Sequence, residues 1–274
     1  MLSSHIYSSI LPLPQGYCVD MLIPVSLISS RMIETRKCII IYEYTYFLDG
    51  DEVSRKTFEL IFENNRYIEG QSLSYRLYSK RSIKENQCGY IELDVKSKDG
   101  SRVFKAMSPF PQYEIFSNIG KKSFFSSFTN KTSDPQIIGQ IELFKRFVIT
   151  YPAINIDLKK DFSTAFLFIN PYEKPIIIVL KTQDLKTIDR KKILPREAVY
   201  FPLSCLLSKG ENSWKGQIHM TANNRIVAVV LNHKKDDMDS ISNMEHLDPF
   251  RSDSTHQRFS QKIRSALRNI FSKK

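Results

Sequence analysis

The sequence predicts an all-β protein: two tandem antiparallel β-sandwiches of jelly-roll-like character, followed by a C-terminal amphipathic helix. Three observations lead there. Short runs rich in Ile, Val, Tyr, Phe and Thr recur between turn signals, with almost no helical periodicity before residue 250. Patterns of the first half return about 126 residues later: 73–77 and 89–95 answer to 199–203 and 216–222, and 39–44 to 165–170. The last twenty or so residues then change character and carry an apolar stripe opposite a basic one.

The expected division follows. Residues 1–20, rich in Ser and Pro, form an irregular N-terminus; 21–135 form the first sandwich, 136–250 the second, and 251–274 the basic helix. In the first unit, the β-branched and aromatic run 39–47 reads as a strand closed by a turn at Asp49, Gly50 and Asp51. Residues 57–62 follow as a second strand, and Leu73, Tyr75 and Leu77 alternate with polar neighbours as in a half-buried strand. Lys98, Asp99 and Gly100, between 90–95 and 101–107, give a hairpin signal. Residues 108–135 are looser, with one short strand near 123–128.

In the second unit 164–169 reads as a strand, ended by a turn at Asn170 and Pro171. The uninterrupted apolar run 176–180 suggests a strand covered on both faces. A polar stretch, 183–192, leads to Ile193, Leu194 and Pro195, then to strands at 199–203, 216–221 and 226–231. Residues 233–248 read as a solvated connector after the last strand, pinned by Met244, Leu247 and Phe250. In the tail, Ser254 and Gln257 fit a capping box.

Composition bounds the function. An apolar content of 42% with 25% charged residues is that of an ordinary globular chain. A net charge of +11 favours anionic partners, although Lys-heavy composition alone accounts for part of it. Cys18, Cys38, Cys88 and Cys205 form no CxxC pair, which points to reduced, buried thiols and a cytoplasmic setting. No run approaches 18 apolar residues, so no spanning helix is expected, and the N-terminus lacks the basic start of a signal peptide.

Part of the second unit resembles a known family. The residues that carry the likeness are Ile169, Asn170 and Pro171 before a strand, Ile193, Leu194 and Pro195, and the run 199–203. Trp214, Lys215 and Gly216 then open 217–220, and the hydrophobic strand 226–231 completes the pattern. Residues 164–232 are similar in this way to the sensory rhodopsin transducer-like β-sandwich family. That resemblance implies a non-enzymatic binding module prone to self-association. The chain departs from it in its second copy, its inserts and its basic tail.

Few constellations suggest chemistry. His233, Asp236, Asp237, Asp239, Glu245, His246 and Asp248 could serve a hard divalent cation, but their spacing matches no defined loop. A metal-dependent enzyme is therefore the least favoured class, and no cofactor and no catalytic activity are expected. His219 reads as a satisfied sheet histidine and Cys205 as a core thiol. Trp214, the single tryptophan, is a candidate ligand surface, with a strand-end aromatic covering the sandwich edge as the plainer account.

The tail is the strongest candidate. Phe259, Ile263, Leu267, Ile270 and Phe271 fall on one side of a helix, with Arg258, Lys262, Arg264 and Arg268 mostly on the other. Residues 256–274 hold six Lys or Arg and no acid. Residues 254–274 are thus expected to bind an anionic membrane surface or an acidic protein partner, on a scaffold or adaptor that self-associates. The alternative is a nucleic-acid-associated protein contacting phosphates through Lys121, Lys122, Lys159, Lys160 and the 190–192 run.

Overall fold

The computed structural model describes residues 4–14, 17–22, 38–63, 66–70, 74–78, 87–98, 112–117, 123–125, 129–131, 147–184, 186–223, 226–234, 241–247 and 250–251. Among them the chain is mostly β-strand, with no helix of seven or more residues. In order the strands are β1 (Ser4–Leu13), β2 (Tyr17–Leu22), β3 (Cys38–Leu48), β4 (Asp51–Glu63), β5 (Arg66–Gly70), β6 (Ser74–Tyr78) and β7 (Gln87–Ser97). After them come β8 (Gln112–Ser117), β9 (Ser123–Phe125), β10 (Thr129–Lys131), β11 (Phe147–Asp157), β12 (Ser163–Ile169), β13 (Ile176–Thr182) and β14 (Thr187–Ile193). The last are β15 (Ala198–Pro202), β16 (Ser213–Ala222), β17 (Val227–His233), β18 (Asn243–Leu247) and β19 (Phe250–Arg251).

The all-β expectation holds. The strands do not, however, divide into two separate sandwiches near residue 135. One ten-stranded sheet runs β18-β17-β12-β15-β7-β3-β4-β5, with β1 on β7 and β10 on β1. Its join between the halves is short: Ala198 pairs with Cys88 and Val199 with Gln87. The rest of β7 lies between β1 and β3. A five-stranded sheet, β14-β13-β16-β11-β19, and a four-stranded one, β6-β2-β8-β9, complete the fold.

Strand positions do recur, since β16 begins about 126 residues after β7 and β12 about 125 after β3. The pairings differ. β3 and β7 are hydrogen-bonded neighbours, whereas β12 and β16 lie in different sheets.

Two apolar clusters follow from strand alternation, because successive side chains point to opposite faces. From β12, Phe166 and Phe168 meet Ile154, Ile156, Ile176, Ile178, Leu180, Ile218 and Met220 of the five-stranded sheet. Its alternate residues Ala165, Leu167 and Ile169 join Tyr42, Tyr44, Tyr46, Leu60, Ile91, Leu93 and Val95 in the other cluster. β17 divides the same way, with Ala228 and Val230 on one side and Val229 and Leu231 on the other. The ten-stranded sheet therefore curls back over itself, and β12 and β17 form a middle layer buried on both faces.

Several boundaries move. The N-terminus is not irregular: β1 and β2 are strands, and Ile10, Leu11 and Leu13 are fully buried despite Pro12. The apolar run of β13 is covered on one face only, with Ile177 and Val179 half-exposed. The polar stretch before Ile193 is itself a strand, β14, at the margin of its sheet, where charged side chains suit an edge. The segment after β17 is not a simple connector: β18 pairs with β17, burying Met244 and Leu247, and β19 pairs with β11.

The turn expected at Asp49 and Gly50 is present. Both residues are left-handed, φ 57° and 89°, the pair of angles that a tight type I′ hairpin requires and that Asp-Gly tolerates. Residues 99–100 of the hairpin expected around Lys98, Asp99 and Gly100 lie outside the described residues, as do the strand at 101–107 and the helix at 254–274.

Candidate functional site

The outer face of the five-stranded sheet gathers cations from three neighbouring strands. Since Ile176, Ile178 and Leu180 of β13 and Ile218, Met220 and Ala222 of β16 point into the core, their alternates point away from it. Those alternates are Ile177, Val179 and Lys181 on β13, and Lys215, Gln217, His219 and Thr221 on β16. On β14, Arg190 is opposite Val179 and Lys192 opposite Ile177, which puts both on the same face.

The register fixes how these groups lie together. Val179 pairs with Thr221 and Lys181 with His219, and on β11 Asn155 pairs with Lys215. Arg190, Lys192 and Lys215 are exposed, while Ile177, Val179 and Thr221 are half-covered. Among the described residues, none of the side-chain cations of Lys181, Arg190, Lys192 and Lys215 is ion-paired with a carboxylate within 4.0 Å. The acid on this face is Asp157, opposite Ser213 at its rim, and it is engaged by Lys160, whose Nζ is 3.6 Å away. Lys191, between Arg190 and Lys192, turns the other way and sits 5.9 Å from the ring centre of Phe201. What remains is a cationic sheet face with an aliphatic strip.

A second polar constellation clasps the two halves. Asn170 is fully buried; its Nδ2 donates to the carbonyls of Lys174 at 2.8 Å, Leu194 at 2.9 Å and Ile193 at 3.3 Å. Its Oδ1 accepts from the Tyr172 amide at 3.1 Å. One amide thereby ties the Asn170 turn to the Leu194 turn, two motifs that the sequence keeps apart. The second turn presents Arg196 in the left-handed region, φ 59°.

The Arg196 guanidinium then reaches the first half. Nη1 donates to Glu92 Oε2 and to the Pro171 carbonyl, both at 2.8 Å, and Nε donates to Glu173 at 2.9 Å. Its Cζ lies 5.2 Å from the centre of the Phe47 ring, which stacks on Tyr90. Burial opposes the Arg196 charge, but Glu92 and Glu173 outweigh it and raise the guanidinium above its ordinary value. Burial, reinforced by Glu92, pushes the Tyr90 phenol well upward. Arg196 acts here as a structural clasp.

The remaining candidates resolve one by one. Trp214 lies on the core side of β16, opposite the fully buried Ile156, and packs against the second cluster. Its ring covers Gly216, where a Cβ would stand 2.8 Å from the indole; that close approach accounts for a glycine two residues on. The tryptophan therefore does not contribute to the cationic face.

His233 is buried, with Nδ1 2.6 Å from the Lys234 carbonyl and Nε2 2.9 Å from the Tyr200 hydroxyl. The carbonyl needs a donor, so Nδ1 carries the proton and Nε2 accepts from Tyr200. Cys205, expected in the core, is at the surface, while Cys88 is buried. Partial burial and the charge of Asp189 raise the Cys205 thiol above its ordinary value, which makes it a poor nucleophile.

Of the acidic segment, 235–240 lies outside the described residues, and Glu245 is exposed on β18. Among the described residues no group of three His, Cys, Asp or Glu is placed to hold a metal ion. No described helix is long and apolar enough to cross a membrane. The tail residues Arg258, Phe259, Lys262, Ile263, Arg264, Leu267, Arg268, Ile270 and Phe271 also lie outside the described set, as do Lys121 and Lys122.

In the sequence Arg190 and Lys192 stand out only as part of a basic run, and Lys181 and Lys215 are isolated cations with no mark of a shared role. The missing signal was parity: once the buried residues of β13 and β16 are known, the cations fall on one side. In comparison with known proteins, no family model matches the chain and no curated relative matches its sequence.

Proposed function

We propose that this is a non-catalytic binding or scaffold protein that attaches to an anionic membrane surface through its basic C-terminal segment. The observation that carries the reading is the charge of residues 256–274, six Lys or Arg with no acid, set against an apolar stripe from Phe259 to Phe271. A segment that only capped its own sheet would gain nothing from lacking acids altogether. Read as an amphipathic helix, it lays Phe259, Ile263, Leu267, Ile270 and Phe271 into the lipid boundary while the arginines meet headgroups. Each basic residue near such a surface contributes about 1 kcal/mol.

The body is read as a scaffold on which two related sheet units have diverged in pairing. Strand positions repeating at a near-constant offset support that origin. The resemblance of residues 164–232 to the sensory rhodopsin transducer-like sandwiches supports a binding module that self-associates, on the inner face of a cell membrane.

The test is sedimentation with phosphatidylcholine vesicles, with and without phosphatidylserine. The full chain pellets only with the anionic vesicles, and deletion of 254–274 abolishes pelleting without loss of fold. Equal pelleting by both forms would dispose of the tether. A nucleic-acid partner is the second reading, favoured by Arg190 and Lys192 sharing a face with Lys215. It requires salt-sensitive retention of an oligonucleotide on a filter.

A further inference from the structure

We infer that the outer face of the five-stranded sheet, through Lys181, Arg190, Lys192 and Lys215, lies against the same anionic bilayer that the C-terminal segment grips. This rests on the membrane reading above and adds to it a second contact, built into the folded body. Three observations carry it.

The first is continuity. β19, the last described strand, pairs Arg251 with Phe147 and Phe250 with Val148 on β11, so the described residues end, at 251, on the margin of this very sheet. The strand that precedes the tail and the strands that carry the cations therefore belong to one sheet, with β19 and β14 at its opposite margins.

The second is layout. The cations are dispersed over β14, β13 and β16 rather than along one track. Neighbouring strands are about 4.8 Å apart and alternate residues of a strand about 6.8 Å apart, so the charges form a planar array. A planar array suits a headgroup surface. A nucleic-acid strand instead calls for cations that follow a single track along its backbone.

The third is the aliphatic strip of Ile177 and Val179, half-covered beside Arg190 and Lys192 of β14. It offers shallow apolar contact at the level where the lysine stems spread. One weak membrane signal gives marginal, reversible binding, and stable attachment takes two. A basic tail and a cationic sheet face supply two such signals.

The experiment uses the full chain, the chain lacking 254–274, and a full-length variant carrying Lys181→Gln, Arg190→Gln, Lys192→Gln and Lys215→Gln. Binding is measured to phosphatidylcholine vesicles containing phosphatidylserine, with thermal melts to check each fold; Lys192→Gln with Lys215→Gln, both exposed, serves if the fourfold variant melts early. At about fivefold per charge, the fourfold variant loses roughly 600-fold in affinity, and the pair about 25-fold.

Undiminished binding by the folded variants overturns this inference and leaves the tail reading standing. Loss in the glutamine variants with no loss on tail deletion sinks the tail reading and keeps the sheet face. Binding of all forms alike, or of none, removes both. Charge-dependent retention of an oligonucleotide with no vesicle binding overturns the bilayer in favour of nucleic acid.

Discussion

β12 and β13 are both seven-residue strands built around an apolar run of five, in the same half of the chain, yet they occupy opposite situations. Every residue of β12 is buried, because the five-stranded sheet covers one face and the tyrosine-rich sheet of the first half covers the other. β13 alternates buried and half-exposed, and its free side bears Ile177 and Val179 amid cations. The apolar run of β13 is no less hydrophobic than that of β12; the difference lies in the neighbours. A strand becomes a middle layer when a second sheet, made elsewhere in the chain, folds over it. Its own composition permits that position without specifying it.

The sharpest way to break the comparison is to remove one of the covering layers. The first half has a core that draws Ala165, Leu167, Ile169, Val229 and Leu231 from the second. Residues 1–135 alone are therefore expected to give no cooperative urea transition, with the tyrosine face left open to aggregation. A steep, reversible transition for that fragment would restore two independent sandwiches.

Next in size are single truncations. Phe168→Ala is expected to cost about 3–5 kcal/mol and Leu167→Ala about 2–5 kcal/mol by denaturant unfolding, since they empty opposite faces of one strand. If either proves mild, one of the two covers is loose.

Arg196→Met should cost about 3 kcal/mol, because it strands the buried Glu92 carboxylate. Adding Glu92→Gln should recover part of the loss, and the coupling can be read from a double-mutant cycle. Additive losses would mean that the clasp does not join the halves. At the small end, Val179→Thr should stay within about 0.5 kcal/mol, as expected for a surface site. A large loss there would show the outer face of β13 to be covered after all.

A final measurement concerns reactivity. With its thiol raised by burial and Asp189, Cys205 is deprotonated only at higher pH than an ordinary cysteine. Alkylation of Cys205 at neutral pH should therefore be slow and should quicken as pH climbs, where Asp189→Asn shifts the profile downward.

What the sequence made legible was local. The Asp49–Gly50 turn, β12, β15, β16 and β17 were all readable from alternation, turn residues and apolar runs. Long-range choices were not. Nothing in Gln87 and Cys88 announces that they pair with Val199 and Ala198, and a duplicated pattern invited the assumption of duplicated pairing. β1 was missed because prolines beside Ile10, Leu11 and Leu13 looked like breakers, although Pro12 sits near the end of the strand. The cationic face was half visible in the 190–192 run; its other members became meaningful only when β13 and β16 were seen to share a core side.

The middle layer also sets a schedule. The tyrosine-bearing strands of the first half are synthesised well before residues 163–169 and 227–233, which they need as a partner. At typical elongation rates that interval is on the order of ten seconds. During it a nascent chain holds an uncovered greasy sheet at the mouth of the ribosome, so a holdase, or slow release, becomes a requirement of production. Yield on recombinant expression should then respond to chaperone supply and translation speed more than to any change at the finished surface.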